Sequence, residues 1–278
     1  MRPWQVCLMF VLTFFWIWSV PLLVIGVLCA VPFAMAAFPI CLAITLFSQY
    51  VSHDAIIVNH PVRRWISNIP WCDWFPCNQL KFEEQCIITI HPHGLICCGA
   101  IAGVHLVPES ETVLCVAPVL FYVPVIGWLL KLLACIPANK NAMQSALAAG
   151  HSLLVVPGGV PEIVLAETGD DEQRFARYGV LKLSPSVPVH IVFVRGECST
   201  YKMIQMPFLQ LRVWLSWRLN IPLVTPIMLG HYGTWLPKRQ PLFLETLRVP
   251  RTTKTPTDTS LRSEYDRVFS MFVETKDI

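Results

Sequence analysis

"IITIHPHGLICCGA", Ile87 to Ala100, sets two histidines and a proline at the end of a run of β-branched residues. Isoleucine and threonine suit a pleated, buried strand. Proline cannot donate to a ladder, so a strand that begins near Cys86 should end here. Gly94 lets backbone or ligand approach closely. His91 and His93 then fall at the carboxyl end of a strand, on the same side of it if alternation holds. Open α/β sheets bind their ligands at that edge. Taken alone, the pair fits two hydrogen-bonded core histidines equally well.

Outward from this stretch, short apolar runs alternate with helical patterns. Strands are expected at Cys86–Ile90, Thr112–Ala117, Ser152–Val156, Val189–Val194 and Leu242–Val249. Their blunt apolar ends suit strands covered on both faces. Between them, "NAMQSALAAG" carries Asn141 where an N-cap belongs and Gly150 where a C′ glycine belongs. Leu261, Tyr265, Val268, Phe269 and Phe272 recur at helical spacing and predict an amphipathic helix. Strands alternating with helices give an α/β fold with a mostly parallel sheet flanked by helices.

A second motif, "LLVVPGGVPEIV", places Pro157, Gly158 and Gly159 directly after a predicted strand, with Glu162 three residues on. Such a turn exposes backbone N–H groups that can hold a phosphate or a developing oxyanion; an ordinary strand-to-helix turn reads the same. In "RFARYGVLKLSPS", Arg174, Arg177 and Lys182 lie close together in a chain poor in charge. Arg177 and Lys182 could reach an anionic substrate, or the three could form a solvated helix face. "PFLQLRVWLSWRLNIP" mixes Phe208, Leu211, Trp214, Leu215 and Trp217 with Arg212 and Arg218. It reads as a buried core helix, or as an interfacial one with its aromatics in the headgroup layer.

Composition narrows the setting. The chain of 278 residues is 54% hydrophobic and 14% charged, with a net charge of +3; about 25% charged is usual for a soluble domain. The small positive charge, without basic clusters carrying interleaved aromatics, excludes a nucleic-acid binder. Eleven cysteines show no zinc-ligand spacing, and no Asn-x-Ser/Thr acceptor occurs. Both features favour reduced thiols facing the cytosol.

From Pro3 to His53 no residue carries a formal charge. As helix this run would span about 75 Å, against about 30 Å of bilayer core. Two passes or a re-entrant hairpin fit, near Val6–Leu28 and Phe33–Tyr50. A cleaved signal peptide is disfavoured, because its apolar core would be several times too long. Arg2 before the run and Arg63-Arg64 after it put both ends in the cytosol. The expected organisation is a hydrophobic membrane hairpin over 1–52, a linker over 53–85 and a cytosol-facing domain over 86–278.

No G-x-S-x-G elbow, P-loop, G-x-G-x-x-G or H-E-x-x-H is present. A histidine acting as general base on a substrate hydroxyl is the simplest chemistry left, with no metal required.

These residues resemble the type-2 diacylglycerol acyltransferase family, which includes the monoacylglycerol and wax-alcohol acyltransferases. His91-Pro92-His93-Gly94 matches the family's HPHG signature. Phe75-Pro76 stands where its upstream Tyr-Phe-Pro lies, with Trp74 replacing the tyrosine. Gly158, Gly159 and Glu162 match its G-G-x-x-E element. Arg177, Gly179 and Lys182 match R-x-G-F-x-K, with Val180 replacing phenylalanine, and Gly196-Glu197 closes that block. "LGHYGTWLPKRQPL" resembles a later loop and "YDRVFSMFVETK" a later helix. "VPVIGWLLKLLACIPANK" is similar to the wider glycerolipid acyltransferase superfamily, which usually carries H-x4-D; counted from His93, Cys98 holds that aspartate's place.

The resemblance implies a glycerolipid-acyltransferase-like fold and acyl transfer from acyl-CoA to a lipid alcohol, with no further cofactor. The alcohol would be diacylglycerol or monoacylglycerol, with lysophospholipid or wax alcohol as alternatives. A non-catalytic lipid-binding protein is the alternative of another class. It implies His93 or His91 as base and Glu162 as a positioning group. Gly94, Pro157, Gly158 and Gly159 would lie around the substrate, with Arg177 and Lys182 on the CoA phosphates. The endoplasmic reticulum membrane is the implied location, the lipid droplet an alternative, and a homo-oligomer is compatible with it.

Overall fold

The expected strands pair side by side, for reasons visible in their burial. In a computed structural model of the chain the described residues are 61–68, 74–94, 96–107, 111–123, 126–169, 171, 180, 183, 187–219, 227–234, 236–249 and 258–274. Helix α1 (Pro61–Ser67) leads to β1 (Ile87–His91). The short α2 (Cys98–Ala100) runs on as a π-helical turn, Ile101–His105. Then come β2 (Thr112–Val116), α3 (Ile126–Leu132), β3 (Cys135–Pro137), α4 (Lys140–Ala148) and β4 (Ser152–Val155). After α5 (Gly159–Leu165) follow β5 (Val189–Arg195), β6 (Lys202–Ile204), α6 (Leu209–Leu219) and β7 (Ile227–Leu229). β8 (Phe243–Arg248) and α7 (Asp258–Glu274) come last.

Six strands form one sheet in the order β3-β2-β4-β1-β5-β8. The first five are mutually parallel and β8 runs antiparallel to β5. All five residues of β1 are buried, as a central strand between two helical layers requires. On one face Ile87, Leu153, Ile191 and Phe193 pack with Val268, Phe269 and Phe272 of α7; on the other Ile88, Ile90, Leu154 and Val192 pack with Cys98 and Ala100 of α2. Each such aliphatic side chain contributes about 1.5–3 kcal/mol by leaving water. The Leu242–Val249 run departs from the both-faces-covered expectation: β8 is an edge strand, and of its six residues only Leu244 is buried. The small strands β3, β6 and β7, three residues each, carry too short a pattern to be read from sequence.

The cap of α4 differs by two residues from the sequence reading. Asn139, not Asn141, accepts from the Ala142 N–H, at 2.9 Å. Gly150 does act at the other end. It adopts φ +89°, and the N–H groups of Gly150 and His151 donate to the Leu147 and Ala146 carbonyls, closing the helix with two reversed bonds.

Helix α6 is not a core helix. Leu211, Trp214 and Trp217 are 52%, 52% and 48% exposed, and the preceding Phe208 is 75% exposed. Its buried side carries Arg212, Val213 and Ser216, and Arg212 is paired with the buried Glu167. Arg63 is likewise no free flanking charge. It is 4% exposed and donates from Nη2 to the carbonyls of His105 (2.9 Å) and Thr112 (3.0 Å), leaving Arg64 as the exposed member of that pair. The segment before β1 is tied to the sheet edge: Asn78 brackets Leu244 through both its amide groups, and Leu242 N–H donates to Pro76 O.

The expected membrane hairpin, and Arg174, Arg177 and Lys182, lie outside the described residues. Among the described residues no helix is long and apolar enough to cross a membrane, and no group of three or more His, Cys, Asp or Glu side chains could hold a metal ion.

Candidate active site

Three adjacent parallel strands, β4, β1 and β5, end side by side. Their carboxyl ends deliver Pro157-Gly158, His91 and Gly196-Glu197 to one edge of the sheet. β1 stops at His91. His93 therefore lies in the loop beyond the ladder, and strand alternation does not extend to it.

His91 is fully buried. Its ring sits edge-on to Phe269, with centroids 5.2 Å apart, and both nitrogens are engaged. Nδ1 lies 3.0 Å from Glu162 Oε1 and Nε2 lies 2.8 Å from the Tyr265 hydroxyl. The donors along this chain fix the proton count. Thr89 donates to the His190 carbonyl (3.2 Å) and Tyr265 donates to Thr89 Oγ1 (2.8 Å). His91 Nε2 must then be the N–H that donates to Tyr265, because a hydroxyl has only one proton to give. The bond between Nδ1 and Glu162 needs a second proton, carried by the imidazole or by the carboxyl.

Glu162 uses its other oxygen on the second histidine. Its Oε2 accepts the backbone N–H of His93 at 2.9 Å. One buried carboxyl thus clamps the ring of one histidine and the backbone of the next. The two glycines of the motif serve it for different reasons. A Cβ on Gly158 would sit 1.8 Å from Glu162 Cδ, so that position is glycine for space. Gly159 adopts φ +56°, so that position is glycine for conformation.

His93 is half-buried. Nδ1 faces the Gly94 carbonyl at 3.2 Å and Cys97 Sγ at 3.3 Å. Burial shifts its pKa below the ordinary histidine value, against a smaller upward pull from Glu162 and the Gly94 carbonyl. His93 is therefore held neutral near pH 7, the form that can take a proton.

The loop after His93 is braced from β5. Glu197 Oε1 and Oε2 accept from the N–H groups of Cys98 (2.7 Å) and Gly99 (2.8 Å) at the start of α2. Burial lifts the Glu197 carboxyl to about 7, partly opposed by those two N–H bonds, with Asp171 adding a further upward push. Asp171 in turn accepts from the Gly196 and Cys198 N–H groups, at 2.5 and 2.8 Å. Gly94 adopts φ +54°, and a Cβ there would come within 2.7 Å of Glu197 Cγ.

His91, His93, Gly94, Pro157, Gly158, Gly159 and Glu162 are thus brought to one edge, whereas Arg177 and Lys182 fall outside the described residues. Sequence reasoning gave no role to Tyr265, Glu197 or Cys97. Tyr265 had a signal, being the one hydroxyl on the otherwise hydrocarbon face of its helix. Cys98, in the place of a superfamily aspartate, offers its backbone N–H to Glu197, and it is Cys97 that meets the histidine ring.

Comparison with known proteins bears on the fold and the family. The crystal structure of the 1-acyl-sn-glycerophosphate acyltransferase PlsC from Thermotoga maritima matches with a TM-score of 0.50 over 84% of this chain and 87% of that one. Sequence identity there is 15%, so the likeness is one of fold. Diacylglycerol O-acyltransferase 1 of Schizosaccharomyces pombe is 29% identical over 164 residues, or 51% of this chain and 48% of that protein. The chain thus spans about half the length of the curated relative it matches. A family model described as diacylglycerol acyltransferase matches residues 31–275. The chain belongs to the diacylglycerol acyltransferase family.

Proposed function

We propose that this chain is a membrane-surface acyltransferase that moves a fatty acyl group from acyl-CoA to a lipid alcohol, with His93 as general base. One observation carries the choice of base. Both ring nitrogens of His91 are engaged inside the core, whereas His93 is half-buried beyond the strand end and, among the described residues, its ring is engaged at Nδ1 alone. In the reaction His93 Nε2 takes the proton of the acceptor hydroxyl as its oxygen attacks the thioester carbonyl. Backbone N–H groups about Gly94 or Gly158 hold the oxyanion. The tetrahedral intermediate collapses to ester and CoA thiolate, and the proton on His93 passes to that thiolate. Glu162 acts at one remove, by fixing the backbone of His93. Arg177 and Lys182 are assigned to the CoA phosphates.

The acceptor is read as diacylglycerol or monoacylglycerol, giving neutral lipid such as triacylglycerol. The charge-free run from Pro3 to His53 anchors the chain in the endoplasmic reticulum membrane, with the site facing the cytosol. Helix α6 supports that setting: Leu211, Trp214 and Trp217 are exposed beside Gln210 and Arg218, the mixture of apolar, aromatic and basic side chains that suits a headgroup layer.

The test is direct. Detergent-purified protein is given radiolabelled acyl-CoA with diacylglycerol, monoacylglycerol, long-chain alcohol and lysophospholipid in parallel. Ester is expected from a glycerol acceptor, and a loss of about 10²-fold or more in kcat for His93→Ala. Ester from lysophospholipid or long-chain alcohol alone would reassign the acceptor. No product from any acceptor would leave a lipid-binding protein and overturn the catalytic reading.

A further inference from the structure

We propose that Cys97 is a positioning residue for the base: its sulfur and the Gly94 carbonyl hold the His93 ring in the tautomer that presents Nε2 to the acceptor. This rests on the reading of His93 as base. A base that takes a proton through one nitrogen must be held through the other, and carboxylates commonly do this. Among the described residues no carboxyl is hydrogen-bonded to the His93 ring. Glu162 places Oε1 on the His91 ring and Oε2 on the His93 backbone, and Glu197 accepts from Cys98 and Gly99. Cys97 does reach it, with Sγ 3.3 Å from Nδ1.

The same sulfur lies 2.9 Å from the His93 carbonyl, to which its S–H donates. Its lone pairs are then left for Nδ1–H, and the Gly94 carbonyl is a second acceptor at 3.2 Å. Two acceptors at Nδ1 require the proton to sit there, which leaves the lone pair on Nε2. Burial, with Glu197 and Glu162 nearby, holds the Cys97 thiol well above its ordinary value, so the S–H is retained.

A second observation is the backbone of Cys97. It adopts φ 55° and ψ 53°, a left-handed conformation that glycine takes freely and a side chain does not. Strain of this kind persists where the surroundings over-determine it, and here they include the two contacts with His93 as well as the bonds of the next two N–H groups to Glu197. Among the described residues, the titratable groups that bear on His93 are Glu162 and His91, Cys97 at its Nδ1 and Glu197 beside Gly94, with Tyr265 beyond His91. A thiol and a carbonyl, unlike a carboxylate, add no charge to stabilise the imidazolium.

The experiment compares Cys97→Gly, Cys97→Ser and Cys97→Asp in the full-length protein. Acyl-CoA kinetics are measured against pH, and so is the rate at which diethyl pyrocarbonate modifies His93, read by peptide mass spectrometry. Cys97→Gly is expected to keep the thermal midpoint, since glycine suits φ 55°, and to lose about tenfold in kcat with KM within about twofold. Cys97→Ser is expected to restore most of that kcat, since a hydroxyl makes both contacts. Cys97→Asp is expected to move the acidic limb of kcat/KM, and the midpoint of His93 modification, up by about one pH unit or more. Wild-type kcat in Cys97→Gly together with an unchanged modification profile in Cys97→Gly and Cys97→Asp would overturn the proposal. If no acceptor is acylated, the reading of His93 as base fails on its own, and the modification profile still decides whether Cys97 governs that ring.

Discussion

At the scale of the residue, a histidine engaged through both nitrogens responds to substitution differently from one that faces outward. Removing one partner of a buried, hydrogen-bonded pair costs about 3–5 kcal/mol. His91→Asn leaves Glu162 Oε1 and the Tyr265 hydroxyl short of partners. It should lower the thermal midpoint by several degrees, since about 1 kcal/mol moves a domain of this size by roughly 2–4 °C. His93→Asn should leave the midpoint within about one degree while removing activity. Scanning calorimetry of the two variants beside wild type separates these roles, and equal midpoints would contradict the frame described for His91. The sequence made both histidines visible but could not divide their work. Their two-residue spacing promises one shared face, whereas Pro92 ends the ladder between them and sends His93 into the loop.

At the scale of the element, four of the five parallel strands were legible because β-branched runs with both faces covered leave an unbroken apolar signature, whereas β3 is too short to carry one. α6 was legible only as two alternatives, since its residue mixture suits a core helix and an interfacial one alike. Pairing of Arg212 with Glu167 decides its rotation: the charge turns inward and Leu211, Trp214 and Trp217 turn out. Leu211→Ser with Trp214→Ser should therefore weaken binding to phosphatidylcholine vesicles several-fold in flotation, at an unchanged thermal midpoint. A fall in the midpoint with no change in flotation would show that these side chains pack on the protein instead. Glu197 was legible as a motif residue, but its task was not. A carboxyl that braces backbone N–H groups 98 and 99 positions away leaves no local pattern.

At the scale of the whole molecule, buried carboxyls tie stability to pH. The Glu197 pKa is raised in the folded chain to about 7 from an ordinary 4.5, so the folded state holds its proton more tightly than the unfolded one. Its contribution is then fully present below about pH 4.5 and is lost as pH rises through about 7. Thermal midpoints followed between pH 5 and 8 should carry this falling component, and Glu197→Gln should remove it; a variant whose pH profile parallels wild type would refute the assignment. The same long-range construction has a consequence for biosynthesis. His91 and its partner Tyr265 are 174 residues apart in the chain. At about 5–20 residues per second, a ribosome needs roughly 10–35 s to travel from one to the other. Throughout that interval the nascent chain holds His91, Glu162 or both without the hydroxyl that completes their frame. Chaperones that meet the chain during this time would find the central strand's histidine end still open.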